Sequence, residues 1–274
     1  MRIAVVVLAV LALAGCGGAS EEGNAGPTVV AGFYPLAWAA ERIAGPDARI
    51  LNLTPAGAEP HDLELSPDDI RTVREADLVL YVGGGFQPAL EDAVADRSGP
   101  SLDVLDADES DPHIWLDPVR FSRVVHEIGQ AMGRPTEARA LEGSLDDLDK
   151  RYRRALQNCA RSTFVTTHAA FGQLAKRYGL TELSLAGVTP ESEPSPRQLE
   201  RLTAEVEASG APVVFAEPLV SDEVAATVAR EAHVDVSALD PLEGLSDERL
   251  DAGDDYASVM LDNLKALTKA LGCR

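Results

Sequence analysis

From Thr28 onward the chain alternates short β-branched strands with amphipathic helical stretches, breaks that rhythm once for two long helices, and then resumes it. Strands separated by helices of this size form βαβ units, and therefore parallel sheets. In the first half, strand-like runs cover residues 28–34, 49–54, 77–82 and 101–105, with a helix over 36–44. A second helix starts at Ser66-Pro67-Asp68-Asp69, where serine caps the first turn and proline occupies it. In the second half, strands are expected at 163–167, 182–186, 213–216 and 234–239, with helices at 171–178, 197–208, 222–232 and 255–271. Between the halves, residues 118–132 read as one helix and 135–159 as a longer one, whose face carries Leu141, Leu145, Leu148, Tyr152 and Leu156. At 1.5 Å per residue the longer helix reaches roughly 37 Å, the width of a small domain, so it can serve as a spine between lobes. The expected fold class is α/β: two Rossmann-like parallel-sheet lobes, 28–134 and 160–274, joined by the single long α-helix 135–159.

The first residues bear on compartment. Met1-Arg2 precedes an apolar run from Ile3 to Ala14. That run is too short to span a bilayer and reads as the core of a signal peptide covering residues 1–15. Leu13-Ala14-Gly15-Cys16 resembles a bacterial lipobox, which implies cleavage before Cys16, lipid on its sulfur and a membrane anchor. An ordinary secreted protein cut elsewhere is the other reading. Residues 16–27, rich in Gly, Ala, Ser and Glu, form a flexible tether. An exported chain meets oxidising conditions, so Cys159 and Cys273 are either a disulfide or two free thiols. The formal net charge of −21 repels nucleic acid and anionic lipid, and it concentrates cations.

Three of the five histidines lie just past expected strands, in Pro60-His61-Asp62, Asp111-Pro112-His113-Ile114-Trp115 and Thr167-His168-Ala169-Ala170-Phe171. In open parallel sheets, ligands bind outside the carboxyl ends of the strands. His61 and His113 would come from the first lobe, and His168 and Asp240 from the second. Three imidazoles and one carboxylate meeting in the interlobe cleft suit zinc, whereas manganese prefers more oxygen. Their spacings match no short zinc signature. The carboxylates Glu217, Asp62 and Asp117 are candidates for holding the ring N–H groups. His126 and His233 read as surface residues, and Trp115 as packing that can wall the site. Gly83-Gly84-Gly85 lacks the spacing of a phosphate loop and reads as a tight turn. No His-Glu-x-x-His or Gly-x-Ser-x-Gly occurs.

The segments 60–67 (Pro-His-Asp-Leu-Glu-Leu-Ser-Pro), 111–118 (Asp-Pro-His-Ile-Trp-Leu-Asp-Pro) and 167–172 (Thr-His-Ala-Ala-Phe-Gly) resemble the solute-binding proteins of zinc and manganese ABC importers, the ZnuA/TroA type. So do Phe215-Ala216-Glu217-Pro218 and Leu239-Asp240-Pro241-Leu242, and all five occur in the family's order. The resemblance implies metal ligands at His61, His113 and His168, with Asp240 as the fourth and Glu59 or a water as its substitute. It also implies an extracytoplasmic monomer that delivers Zn2+ to an ABC permease and its ATPase, with Mn2+ as the alternative cargo. Manganese-type relatives carry a carboxylate where His168 stands. Many zinc-type relatives insert a histidine-rich loop before the second ligand; here residues 106–111 are short, acidic and free of histidine. Two other functions are conceivable from the residues. A secreted zinc hydrolase would keep a water on three histidines and use Glu59 or Glu217 as base. A surface adhesin or a binder of chelated metal is a third, and a chelate pocket would want more aromatic and arginine lining than a chain with 5% aromatic residues offers.

Overall fold

The computed structural model describes residues 26–188 and 195–274. The expectations for the signal peptide, the tether and Cys16 lie outside these residues, and among the described residues no helix is long and apolar enough to cross a membrane.

The first half contains β1 (Thr28–Ala31), α1 (Tyr34–Ile43), β2 (Arg49–Asn52), α2 (Pro67–Glu75), β3 (Leu78–Tyr81), α3 (Pro88–Ala95) and β4 (Ser101–Asp103). All its strand pairs are parallel, in the order β2-β1-β3-β4. The second half contains β5 (Thr163–Thr166), α6 (Gly172–Tyr178), β6 (Thr181–Ser184), α7 (Pro196–Ser209), β7 (Val213–Ala216), α8 (Glu223–Glu231) and β8 (Asp235–Ala238), ending with α9 (Asp247–Asp251) and α10 (Tyr256–Leu271). Its sheet, β6-β5-β7-β8, is also parallel and repeats the order of the first.

Strand alternation explains why the sheets are covered on both faces. In β1 and β3, Val29, Ala31, Leu78 and Leu80 enter the main core, while Val30 and Val79 pack with Val73 and Leu90 on the other face. In β5 and β7, Phe164 and Phe215 enter the main core, while Val165 and Val214 meet Leu202 and Val228 of α7 and α8. Apolar residues on both faces of a strand leave no solvated side, which is the signature of a parallel sheet sandwiched by helices.

Between the halves lie α4 (Pro118–Ala131) and α5 (Pro135–Leu156). Ala138, Leu141, Leu145, Leu148, Tyr152 and Leu156 of α5 are buried at helical spacing. They join residues of both halves in one continuous core. The turn before α5 brings α4 very close: a Cβ at Gly129 would sit 2.3 Å from the Ala138 Cβ. Tyr152 donates its hydroxyl to the Met260 carbonyl on α10 at 2.6 Å. Tyr256, at the start of α10, donates to the Trp115 carbonyl of the first half at 2.6 Å. Cys159 and Cys273 are joined, tying the strand entry after α5 to the end of α10.

The boundaries differ from the sequence expectation in two physical respects. The first strand stops at Ala31, because Pro35 sits in the first turn of a helix already begun at Tyr34. The short helices α3 and α9 were not foreseen; α3 shows two buried residues and α9 none, too few for a readable period.

Candidate metal centre

Each ligand-bearing segment follows a strand end. His61 lies in a 3-10 turn (Pro60–Asp62) after β2, capped by Glu59, whose Oε1 accepts from the His61 backbone N–H at 3.1 Å. Buried Gln87 anchors that segment, donating from Nε2 to the carbonyls of Gly32 and Pro60 at 3.1 and 3.3 Å and to Thr54 Oγ1 at 3.1 Å. Gly32 packs directly against it, since a Cβ there would lie 2.3 Å from Gln87 Oε1 and displace that side chain. His113 precedes the 3-10 turn Ile114–Leu116 after β4, and His168 follows β5.

Among the described residues, His61, His113, His168 and Glu243 present ligand atoms that all lie within 4.8 Å of one another. The ring centroids are 5.4–6.2 Å apart. Glu243 Oε1 stands 3.0 Å from His113 Nε2, 3.4 Å from His168 Nε2 and 3.5 Å from His61 Nε2. A tetrahedral zinc ion with bonds of 2.0–2.1 Å separates its ligand atoms by roughly 3.3 Å, so the three gaps from Glu243 are close to edges of that polyhedron. Nε2 of both His61 and His168 is buried without a hydrogen bond. Buried polar atoms rarely go unpaired, and here the orphans face the point where the four groups converge. Phe86 meets the His61 ring at a centroid distance of 4.5 Å and Trp115 meets His113 at 5.1 Å, so aromatic faces wall the cluster.

The carboxylate in the cluster is that of Glu243, which corrects the expectation for Asp240. Asp240 is committed elsewhere. Its Oδ1 accepts from the Leu242 N–H at 2.7 Å, and its Oδ2 accepts from Arg249 Nη1 at 2.9 Å. Asn263 clamps its backbone through both N–H and carbonyl, at 2.9 and 2.7 Å. Trp115 Nε1 donates to the Pro241 carbonyl at 2.7 Å from the other lobe. These bonds brace a turn in which Leu242 takes φ +58°, a conformation a non-glycine residue holds only when its surroundings insist. The turn carries the chain round so that the next residue, Glu243, enters the cleft. Burial pushes the Asp240 carboxyl up to about 6, against the pull of the Leu242 N–H and Arg249.

The structure places Glu217 against His168 and Asp117 away from the cluster. Glu217 Oε2 lies 2.7 Å from His168 Nδ1, and its Oε1 accepts from Thr167 Oγ1 and from the His168 N–H. Asp111 holds His113, with Oδ1 2.8 Å from Nδ1. Asp117 instead caps α4 and pairs with Arg177 on α6, at 2.7 Å. Glu59 stays close to the site, and burial together with the Glu243 charge pushes its carboxyl up to about 8. The glycine turn holds the chain's own carboxylates, since Gly83 and Gly85 donate their N–H groups to Asp103 and Glu91, both at 2.9 Å. His126 pairs with Glu142 on an exposed face, and His233 is exposed.

Charge balance within the cluster is tight. Burial opposes protonation of His113, but its two carboxylate neighbours outweigh burial and its pKa is raised. In the same way burial lowers, and Glu217 with Glu243 raise, the His168 pKa, which ends up at about 10. Burial would raise the Glu243 carboxyl, yet three histidine neighbours hold it well below the usual carboxylate range. A carboxylate faces each ring nitrogen of His113, so the neighbours favour its protonated form, whereas a metal needs the neutral ring with a free lone pair on Nε2.

Comparison with known proteins accords with this geometry. The family described as "Zinc-uptake complex component A periplasmic" matches residues 29–270. The zinc-binding protein AdcA of Streptococcus pyogenes serotype M1 is 32% identical over 282 residues, covering 87% of this chain and 55% of its own length. This chain therefore spans about half the length of that relative. The high-affinity zinc uptake system protein ZnuA of Bacillus subtilis is 31% identical over 306 residues, covering 97% of this chain and 96% of its own. The crystal structure of the Zn(II)-bound ZnuA-like domain of Streptococcus pneumoniae AdcA superposes with a TM-score of 0.76 at 33% identity, covering 89% of this chain and 98% of that one. With its two parallel-sheet lobes and a three-histidine, one-glutamate cluster between them, the chain belongs to the family of periplasmic zinc-uptake complex component A, the ZnuA family.

Proposed function

We propose that this chain is the extracytoplasmic solute-binding protein of an ABC importer, capturing Zn2+ through His61, His113, His168 and Glu243 and delivering it to a membrane permease served by a separate ATPase. The observation that carries the reading is the set of four buried ligand atoms, drawn from both lobes and all within 4.8 Å of one another, with Glu243 at 3.0–3.5 Å from each histidine. Three imidazoles and one carboxylate favour zinc over manganese, since manganese sites take more oxygen. Four protein ligands fill a tetrahedral shell, whereas a catalytic zinc keeps a position for water; this supports a carrier rather than a hydrolase.

Release requires the ligands to part. A small movement of one lobe, or of the loop bearing His61, would open the shell, and either must break the bond that the Gly57 N–H donates across the cleft to the Leu245 carbonyl at 2.9 Å. The leader sequence and Leu13-Ala14-Gly15-Cys16 support export and lipid anchoring of a monomer on the outer face of the membrane. Export also supports the Cys159–Cys273 disulfide.

Metal analysis of the purified protein tests the proposal. One zinc per chain is expected, lost in His61→Ala and in Glu243→Gln. A full complement of zinc in both variants would refute the ligand set.

A further inference from the structure

The short acidic stretch before His113 is held by one arginine that reaches both lobes. Arg120, on α4, directs Nη1 at Glu109 Oε2 and, at 2.7 Å, at Gln173 Oε1 on α6 of the other lobe. Its Nη2 donates to Asp106 at 3.2 Å. Glu109 passes the restraint along: its Oε1 accepts from the N–H groups of Ser110 and Asp111 at 3.1 and 3.2 Å. Gln173, itself buried, donates from Nε2 to the Asp111 carbonyl at 3.1 Å. Asp111 is thus fixed from both sides, and its Oδ1 in turn receives the His113 N–H and faces His113 Nδ1.

We propose that Arg120 is a positioning residue: it latches the 106–111 loop to the opposite lobe, so that Asp111 keeps His113 Nε2 aimed into the metal site. The proposal rests on the zinc-binding reading above. Its physical basis is that a metal-bound imidazole depends on the group holding its other nitrogen, here a carboxylate on a loop with little apolar anchorage. The guanidinium fork suits the task, since it can bind Glu109 and Gln173 together where an ammonium is a point charge. Arg120 also lines an open polar groove of about 620 Å³, so the latch can let go without disturbing the packed core. Its ion pair with exposed Asp106 contributes little. The part that matters is the less exposed one, with Glu109 and Gln173.

The test compares wild type, Arg120→Gln, Arg120→Lys and Asp111→Asn with zinc ion alone as ligand. Zinc dissociation into excess chelator, and the imidazole 15N resonances of His113 in the metal-free protein, are measured. Arg120→Gln is expected to speed dissociation about 10- to 100-fold and to shift the His113 ring signals, with Arg120→Lys recovering only part of the loss. In the Asp111→Asn background, Arg120→Gln should change the rate less than about threefold, because the two act along one route. The inference is overturned by an unchanged rate with unchanged ring signals, or by an equally large effect of Arg120→Gln when Asp111 is already Asn. If Arg120→Gln does not fold, Arg120→Lys in the two backgrounds decides by the same criteria. Should the wild type fail to bind zinc, the functional reading falls, while the His113 ring signals still decide the latch.

Discussion

Zinc loading should expel a proton from His168 at neutral pH, and the source is specific. His113 and His168 each lie between two carboxylates, and both have raised pKa values, that of His168 reaching about 10. The His168 imidazole is still protonated in the metal-free protein at pH 7.5, while zinc needs the neutral ring. Affinity therefore falls as pH drops and rises until pH passes the raised pKa, near 10 for His168. Freeing His168 at pH 7.5, about 2.5 units below that pKa, costs about 3 kcal/mol, a loss of affinity on the order of 100-fold or more. The proton released from His168 changes Kd about tenfold per pH unit between pH 6.5 and 8.5. Calorimetry at pH 7.5 in buffers of different ionisation enthalpy counts the protons directly. Glu217→Gln removes one of the two carboxylates facing His168 and should reduce the count. Release of fewer than about half a proton, or a Kd independent of pH over that range, would refute the reasoning.

Other consequences are open to simpler measurements. Asp240→Asn should lower the urea midpoint by the equivalent of about 1–3 kcal/mol, by weakening the Arg249 pair and the turn, while zinc stoichiometry stays at one. Loss of zinc with unchanged stability would reverse the roles assigned to Asp240 and Glu243. Reduction of the Cys159–Cys273 link, 114 positions apart in sequence, should destabilise the protein by about 4–5 kcal/mol on the loop-entropy argument, seen as a lower thermal midpoint in reductant.

The pH dependence shows where a residue-level reading stops. Free imidazoles titrating near their usual value would lose zinc only below about pH 6. Carboxylates on both sides of His113 and His168 move that competition upward, and nothing local announces Glu243 as the neighbour of His113, 130 positions away. Glu217 was more accessible to inference, since it stands at the carboxyl end of β7, beside the strand that leads to His168.

Periodicity alone determined the alternation of strands and helices, the parallel pairing it implies and the long α5, because those signals are local and repeat along the chain. The three histidines were equally legible, each marked by the turn that ends its strand. Which carboxylate completes the cluster was decided only in three dimensions. Asp240 and Glu243 are three residues apart after the same strand, and both are acids on a turn. Arg249 and the Leu242 N–H claim the first, and a left-handed turn at Leu242 aims the second into the cleft. Competition for partners and the direction of a single turn depend on groups from Trp115 to Asn263, which meet only once both lobes have packed on α5.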